Sequence, residues 1–512
     1  MAGKRCIISL PRSARKWLFP GLGAAVMLIF LAVWLMGRIP ALPEADQRLK
    51  DAASSLPRYD VMLRLNPQAH TLAISQQLDY SNATPDTLSS LVLRTWLNAY
   101  ETEESSPAAT EELYDVCYYA GFSPGYLTLQ EITWNGKAAA WRYLDKEKTV
   151  LEIDVDPLPP GEGGVLSLRA IAEIPACAHR TGYTENAYQL SHVLPLLSRY
   201  EEGAWRQDAY CAVGDPFVND CANFSIRVYA PDDYLPVCSA PLERQQDGSW
   251  QGEILAAREI GLCIGKGYYQ QKALHQGTLI CSYARNQAGA KRALEDAKKA
   301  IETFSVLYGD YPWPSFTVCS ADFPFGGMEY TAFCLASEDY YLESQADTLE
   351  LIIAHEAAHQ WFYALVGSDQ WYQPWQDEAL CEYATLRYVE KRYGQGSFNT
   401  LKFYRVDSPM QEVIPGSLTP GSPIDYFGNL TDYSVVVYGR GAALMIALNE
   451  MLPQGADDFL RAYAEKFAFS FADRQAFESF LQEYSGMDLA PLLLDYLDTI
   501  MMGENTNERV IA

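Results

Sequence analysis

The chain has 512 residues, of which 49% are hydrophobic and 20% are charged. This composition is typical of a folded protein with room for two or three domains, and it excludes a mainly disordered chain. The formal net charge of −26 argues strongly against nucleic acid as a partner, because binding to phosphates requires a basic patch.

The N-terminal 36 residues have the pattern of a membrane anchor. Basic residues between Lys4 and Lys16 precede an apolar run over 17–36. About 20 apolar residues span a bilayer as a helix, and a basic flank keeps that end in the cytoplasm. A cleaved signal peptide is the alternative, although its apolar core is normally about 7–15 residues. We expect a cytoplasmic segment at 1–16, a single-pass plasma-membrane anchor at 17–36, and a linker at 37–57.

Short β-forming segments, separated by clusters of Gly, Pro, Asn and Asp, dominate the region 58–270. This pattern predicts an all-β domain outside the cytoplasm. The segments predicted to be strands are Tyr59–Leu65, Thr71–Tyr80, Ser90–Trp96, Leu151–Val155, Leu166–Ile174, Phe224–Tyr229 and Glu253–Ile264.

After about residue 285 the pattern changes to a helical period. Lys291–Tyr308 is predicted to be a helix and Phe316–Cys319 a strand. We therefore predict a mainly α, α+β domain over 271–512. Its later helices are expected near Ala442–Met451, Asp458–Phe467, Arg474–Tyr484 and Leu489–Leu497.

The motif HEAAH at 355–359 is the centre of the functional prediction. Asp347 and Glu350 have the spacing of a capping box, and Gly367 is a natural helix stop. On one helix the rings of His355 and His359 share a face and can bind one zinc ion. Glu356 projects from nearly the same face and is the natural general base. The alternative is a chance match with packed histidines and a solvated glutamate.

A third ligand is needed if one tetrahedral position of the zinc is to stay open. Glu378 follows His359 with 18 residues between them. It lies on a second predicted helix that is opened by Pro374 and closed at Gly394. Two antiparallel helices would return Glu378 to the histidines. We predict one Zn²⁺ per chain, bound by His355, His359 and Glu378.

Cysteines give no further metal site, because no CxxC pair exists. Cys381 lies one turn beyond Glu378 and is expected to be packed. Cys211 and Cys221 flank a turn-rich loop and could pair in an oxidising compartment, but spacing alone does not fix their connectivity.

With these motifs the sequence resembles the membrane alanyl aminopeptidase and leukotriene hydrolase family of zinc metallopeptidases. HEAAHQWF followed by WQDEALCEY matches the family's zinc helices. GGMEY at 326–330 resembles its Gly-x-Met-Glu-Asn segment, and YGRG at 438–441 resembles its Tyr-x-[Lys/Arg]-Gly segment. The resemblance is specific over about 285–450. Over 59–270 it is architectural and implies a saddle-like β domain before a thermolysin-like catalytic domain.

The resemblance implies two catalytic roles besides metal binding. Glu356 would remove a proton from the attacking water and later deliver it to the leaving amine. Tyr438 would donate a hydrogen bond to the developing oxyanion. Arg440 would orient a carboxylate or the substrate carbonyl, or simply cap its helix. Glu382 is either a carboxylate beside a histidine ligand or a surface residue.

The resemblance also implies a substrate-binding segment. Glu329 would pair with the free α-ammonium of a peptide, which restricts cleavage to the N-terminal residue. The backbone of Gly326, Gly327 and Met328 would pair with the extended peptide as a sheet edge. Tyr330 replaces the usual asparagine, so the preference of the first side-chain pocket is left open. The residue of the β domain that helps bind the amine is also left open.

These observations predict a membrane-anchored, extracytoplasmic zinc aminopeptidase that acts on peptides with a free N-terminus. Two alternatives are retained. One is a zinc endopeptidase in which Glu329 is structural. The other is a catalytically weak, membrane-tethered peptide-binding module, although binding alone requires neither Glu356 nor Tyr438.

Overall fold

The computed structural model describes residues 41–414 and 416–499. The segments predicted to be cytoplasmic (1–16) and membrane-spanning (17–36) lie outside the described residues. Within the described ranges no single helix has the length and apolar character needed to cross a bilayer. One bent pair, Leu430–Met451 and Gly455–Lys466, meets that criterion jointly.

The N-terminal region is built from strands that alternate buried and exposed side chains. In the first strand Tyr59, Val61 and Leu63 are buried while their neighbours face solvent. The region also contains the short helices α1 (Gln47–Ala53) and α2 (Tyr114–Cys117). Its strands are β1 (Arg58–Asn66), β2 (Thr71–Ser81), β3 (Leu88–Arg94), β4 (Tyr126–Trp134), β5 (Lys137–Ala138), β6 (Trp141–Tyr143), β7 (Val150–Leu158), β8 (Gly163–Glu173), β9 (Thr181–Tyr183), β10 (Ala187–Leu190), β11 (Leu196–Leu197), β12 (Tyr200–Glu201), β13 (Ala204–Trp205), β14 (Ala222–Tyr229), β15 (Leu235–Cys238), β16 (Glu243–Arg244), β17 (Trp250–Ala257) and β18 (Leu262–Gly265).

These strands form three main sheets. The largest has eight strands in the order β16-β17-β14-β1-β2-β8-β4-β5, and the other two have four strands each, β15-β18-β10-β9 and β11-β3-β7-β6. Most neighbours are antiparallel, whereas β1 and β14 are parallel. Part of the predicted linker forms the helix α1. This helix packs on the β region, because Leu49 is buried and Asn223 donates a hydrogen bond to the carbonyl of Ala53.

The C-terminal region is mainly helical, so the predicted order of an all-β region before a mainly α region is confirmed. Its helices are α3 (Gln287–Tyr308), α4 (Ala346–Ala358), α5 (Trp375–Tyr393), α6 (Gln395–Lys402), α7 (Leu430–Tyr433), α8 (Gly441–Met451), α9 (Gly455–Lys466), α10 (Arg474–Ser485) and α11 (Ala490–Leu497). Its strands are β19 (Tyr269–His275), β20 (Thr278–Ala284), β21 (Ser315–Ala321), β22 (Gly327–Tyr330), β23 (Phe333–Ser337), β24 (Val366–Gly367) and β25 (Ser470–Phe471).

A five-stranded sheet in the order β19-β20-β21-β23-β22 supports the helices. Strands β20, β21 and β23 are parallel and fully buried, as expected for a sheet covered on both faces. Among the described strands β22 pairs with β23 alone. The segment that carries Gly327 and Glu329 is therefore one edge of this sheet.

The strand predicted over Glu253–Ile264 is wrong in one respect, because it is divided into β17 and β18. Arg258 lies between them and is only 2% exposed. Its guanidinium donates hydrogen bonds to the backbone carbonyls of Tyr363 and Ser470 at 2.6 and 2.7 Å. A buried charge requires such partners, and turning the backbone here lets one arginine tie the β region to the helical region.

The ends predicted for the first zinc helix are also wrong. Gln345 is the N-cap of α4 and no side chain caps it. Glu350 does not complete a capping box, since it accepts a hydrogen bond from Tyr388 at 2.5 Å and pairs with Lys299 at 3.3 Å. The α-helix ends at Ala358 and continues as an irregular π-type turn, well before Gly367. The second zinc helix, α5, has the predicted bounds.

Candidate metal centre and active site

Helices α4 and α5 bring the three predicted zinc ligands together. The Nε2 atoms of His355 and His359 lie 3.3 and 3.5 Å from Oε2 of Glu378. The two imidazole rings are 4.9 Å apart. Two imidazole nitrogens and one carboxylate oxygen therefore converge on a single point.

These separations fit a zinc ion. Tetrahedral ligands at about 2.0–2.1 Å from Zn²⁺ are about 3.3 Å from one another. The donor set of two imidazoles and one carboxylate is one that catalytic zinc uses, with the fourth position left for water or substrate. His355, His359 and Glu378 would thus hold one Zn²⁺.

Each histidine presents its other ring nitrogen to a buried carboxylate. Nδ1 of His359 lies 2.6 Å from Asp377, and Nδ1 of His355 lies 3.5 Å from Glu382. The side chain of Gln370 donates a hydrogen bond to the second oxygen of Asp377. Such contacts fix the ring orientation and leave Nε2 free for the metal. Glu382 therefore lies beside a histidine, one of the two placements considered for it.

The charges of this cluster match a cation. Burial lowers the pKa of His355, but its hydrogen bonds with Glu378 and Glu382 outweigh burial and raise the pKa to about 9. Burial raises the pKa of Glu378, and its contacts with the two histidines more than reverse that change and lower it. The carboxylate is thus held ionised and the imidazoles are held in strongly negative surroundings. Zn²⁺ would replace the protons that these nitrogens otherwise bind.

Asp377→Asn and Glu382→Gln are each expected to weaken zinc binding about 10- to 100-fold, because each removes a carboxylate that orients a histidine ligand. Competition with a fluorescent chelator measures the affinity directly. Glu390→Gln is the matched control, since Glu390 lies on the same helix and pairs with Arg387 away from the metal. Unchanged affinity in both variants would contradict the proposed orienting contacts.

Glu356 lies beside the metal ligands and is buried. Its Oε2 atom has no hydrogen-bond partner among the described residues. Burial raises the pKa of its carboxyl group to about 7, opposed by the charges of His355 and His359. A carboxylate with a pKa near neutrality, and with one oxygen free, is suited to take and return a proton.

Gly327 lies so close to Glu356 that it fixes the position of the Glu356 carboxylate. A Cβ atom at residue 327 would lie 2.2 Å from Oε1 of Glu356, whereas a Cβ at Gly326 would meet only ordinary contacts at 3.5 Å. Glycine is thus required at 327 because the edge strand and the side chain of Glu356 are packed against each other.

Glu329 and Tyr438 come from distant parts of the chain but line the same cavity. Oxygen atoms of Glu329 and Glu356 and a nitrogen of His359 are all within 4.8 Å of one another. The ring of Tyr438 stacks on His355 with centroids 5.6 Å apart. Burial raises the pKa of Tyr438 well above its usual value, so its hydroxyl stays protonated and can donate a hydrogen bond.

The cavity has a volume of about 300 Å³ and is lined by three functional candidates that sequence reasoning missed, namely Arg180, Asp215 and Arg405. Arg180 and Asp215 form a buried ion pair at 2.6 Å. Both come from the β region and belong to no recognisable motif. Asp215 lies in the turn-rich loop between Cys211 and Cys221. The composition of that loop indicated turns, but it did not indicate an active-site carboxylate.

Arg440 and the three cysteines singled out in the sequence have structural surroundings. Arg440 is buried and donates hydrogen bonds to the carbonyls of Pro409 and Glu412 at 3.4 and 2.5 Å, so it holds the backbone of a neighbouring segment. The thiol of Cys381 is buried, as predicted. Cys211 and Cys221 are both free thiols in the structure.

Comparison with known proteins agrees with this geometry. Residues 292–496 match the peptidase family M1 domain, which includes both zinc helices and the segment of Tyr438. The helical region of the chain is therefore a peptidase family M1 domain. The M1 match begins in α3 and ends in α11, so it covers the helical region rather than the β region.

Two aminopeptidases of other organisms are similar in sequence to this chain. Aminopeptidase M1-A of rice is 25% identical over 298 residues, which are 53% of this chain and 33% of that protein. Aminopeptidase N of Lactococcus lactis is 24% identical over 334 residues, which are 59% of this chain and 38% of that protein. The chain thus spans about a third of the length of these two aminopeptidases.

A solved structure shares the fold along most of both chains. It is a mutant of the M1 zinc metallopeptidase from Deinococcus radiodurans, bound to a Tyr-Ser-Ala substrate. The TM-score is 0.62 at 17% identity, with 88% of this chain and 96% of that chain covered. The β region and the helical region together therefore form the two-domain M1 fold.

Proposed function

We propose that this M1 protein is a zinc-dependent aminopeptidase that removes N-terminal residues from peptides. The observation that carries the proposal is the buried carboxylate of Glu329, which lies within 4.8 Å of Glu356 and His359. A general base, a metal ligand and an anionic group for an amine are then within the span of about two residues of an extended peptide.

The residues divide the chemistry among them. Zn²⁺ held by the three ligands would lower the pKa of a water molecule and polarise the substrate carbonyl. Glu356 takes the proton of the attacking water and returns it to the leaving amine. The protonated hydroxyl of Tyr438 donates a hydrogen bond where negative charge develops on the carbonyl oxygen.

The α-ammonium group of the substrate would balance the negative charge of the buried carboxylates in the cavity. Burial raises the pKa of Glu329 well above its usual value, opposed by His359 and reinforced by Asp215. An α-ammonium group placed between Glu329 and Asp215 supplies the missing positive charge and lets both carboxylates ionise. Arg180 pairs with Asp215 at 2.6 Å and keeps it in place.

The edge strand β22 supports binding of an extended peptide. Its outer side is unpaired among the described strands, and its first residue is Gly327. A peptide can add to such an edge through backbone hydrogen bonds. The Tyr-Ser-Ala substrate in the Deinococcus relative supports peptides as the substrate class.

We further propose that the apolar run at 17–36 anchors the chain in the plasma membrane, with the peptidase region on the extracytoplasmic side. The proposal is supported by the length of the run and by its basic flank. A reporter fused at the C-terminus tests it: reporter activity on the extracytoplasmic side is expected, and activity in the cytoplasm would contradict it.

Glu329→Gln is expected to lower kcat/KM for a free leucyl amide about 10- to 100-fold, because a charged hydrogen bond to the ammonium is lost. The wild type is expected to cleave free leucyl amide and not its N-acetylated form. The control is Asp296→Asn, which neutralises an equally buried carboxylate on α3 that pairs with Lys299 outside the cavity. Equal cleavage of free and acetylated substrates would contradict the aminopeptidase and favour an endopeptidase.

A further inference from the structure

Arg405 lies at the His355 side of the candidate active site. It belongs to the π-type turn Phe403–Asp407 and lines the cavity. Its Nη1 atom is 3.6 Å from Oε2 of Glu382, and the side chain of Arg405 is 48% exposed. The same oxygen of Glu382 lies 3.5 Å from Nδ1 of His355. Arg405 is therefore two contacts away from a metal ligand.

The charge balance of the cavity leaves Arg405 available. Of the arginines that line the described cavity, Arg180 is only 8% exposed and is paired with Asp215 at 2.6 Å. Arg405 has one ion pair among the described residues, at a distance longer than a hydrogen bond. A guanidinium has five N–H donors, so most of those of Arg405 have no protein partner among the described residues.

The two charged ends of the cavity lie beside different histidines. Glu329 is beside His359, whereas Arg405 is reached through Glu382 from His355. The histidine rings are 4.9 Å apart. A peptide whose amine is held at Glu329 would place its first carbonyl near the metal ligands, and its leaving residue would lie beyond them.

We propose that Arg405 binds the free C-terminal carboxylate of di- and tripeptides, so that short peptides are the preferred substrates. This inference rests on the proposed aminopeptidase function. Di- and tripeptides extend over about 7–10 Å, and an arginine holds a carboxylate through two parallel hydrogen bonds. The acidic cavity gives the anionic end of a peptide no other exposed cationic partner among the described residues.

The alternative role for Arg405 is support of Glu382, which orients His355. The two roles differ in which measured quantities change when Arg405 is replaced. Loss of support would lower turnover of all substrates together and weaken zinc binding. Loss of a carboxylate site would lower kcat/KM only for substrates that end in a free carboxylate.

The test compares Leu-Leu and Leu-Leu-amide with the zinc-loaded full-length protein and its Arg405→Ala and Arg405→Lys variants. For the wild type we expect kcat/KM to be higher for Leu-Leu. Arg405→Ala is expected to lower kcat/KM for Leu-Leu about tenfold or more, chiefly through KM, and to change kcat/KM for the amide and the zinc affinity much less. Arg405→Lys, which keeps the charge, is expected to restore part of the loss.

Arg392→Ala is the matched control, because Arg392 also pairs with a glutamate at 3.6 Å and is 33% exposed, but lies outside the cavity. This control should leave kcat/KM unchanged for both substrates. Calorimetry of Leu-Leu binding to Glu356→Gln, with and without Arg405→Ala, gives the same comparison without turnover. If Arg405→Ala lowers kcat/KM equally for both substrates, or does not lower it for Leu-Leu, the inference is overturned but the proposed aminopeptidase function is not. Failure of the wild type to cleave either would overturn the proposed function and the inference with it.

Discussion

Glu356→Gln is expected to lower kcat for a free leucyl amide by about 10²- to 10⁴-fold, the range that general-base catalysis contributes. The amide has nearly the same size as the carboxylate, so it preserves the packing against Gly327 while removing the proton acceptor. Because Oε2 of Glu356 has no partner among the described residues, little of the effect should arise from a broken hydrogen bond. Initial rates at saturating substrate measure the change.

The variant must also retain its metal and its fold for this result to concern the base. Zinc content by mass spectrometry and the thermal midpoint should both equal those of the wild type. Retention of more than a tenth of the wild-type kcat would show that another group acts as the base.

Gly327→Ala is expected to lower kcat by about 10²-fold with little change in stability. The new methyl group would overlap Oε1, Cδ and Cγ of Glu356 at 2.2–2.6 Å. These atoms form the end of a side chain, so a movement of the carboxylate relieves the overlap and leaves the fold unchanged. A displacement of about 1 Å at a reacting group costs about this much in rate.

Gly326→Ala is the matched control, since its Cβ would meet only Ile352 at 3.5 Å. It should retain most of the activity. The double variant Gly327→Ala with Glu356→Gln should be no slower than Glu356→Gln alone, because both act through one carboxylate. Additive losses would instead place the effect of Gly327 in substrate binding along the edge strand.

Local patterns in the sequence predicted the parts of the site that are local in the chain. His355 and His359 are neighbours on one helix because of the helical period, and the bounds of α5 follow from Pro374 and Gly394. The strands of the β region were predicted from alternation and turn residues. These features depend on contacts between residues that are close in sequence.

The remaining parts depend on long-range contacts that no local pattern records. Asp215 and Arg180 reach the cavity from loops of the β region. Arg258 divides a predicted strand because it pairs with carbonyls more than 100 residues away. Glu350 has a capping spacing, yet tertiary partners, among them Tyr388, determine its position. Side-chain chemistry indicated that these residues need partners, but not which ones.

The most direct test of the proposed aminopeptidase is the order in which one peptide is degraded. A hexapeptide of six different residues would be incubated with the zinc-loaded full-length protein, and the products followed by mass spectrometry with and without a chelator. We predict a ladder of products shortened one residue at a time from the N-terminus, absent when zinc is removed and restored when it is returned. Internal fragments, or the same products in the chelated sample, would contradict a zinc aminopeptidase.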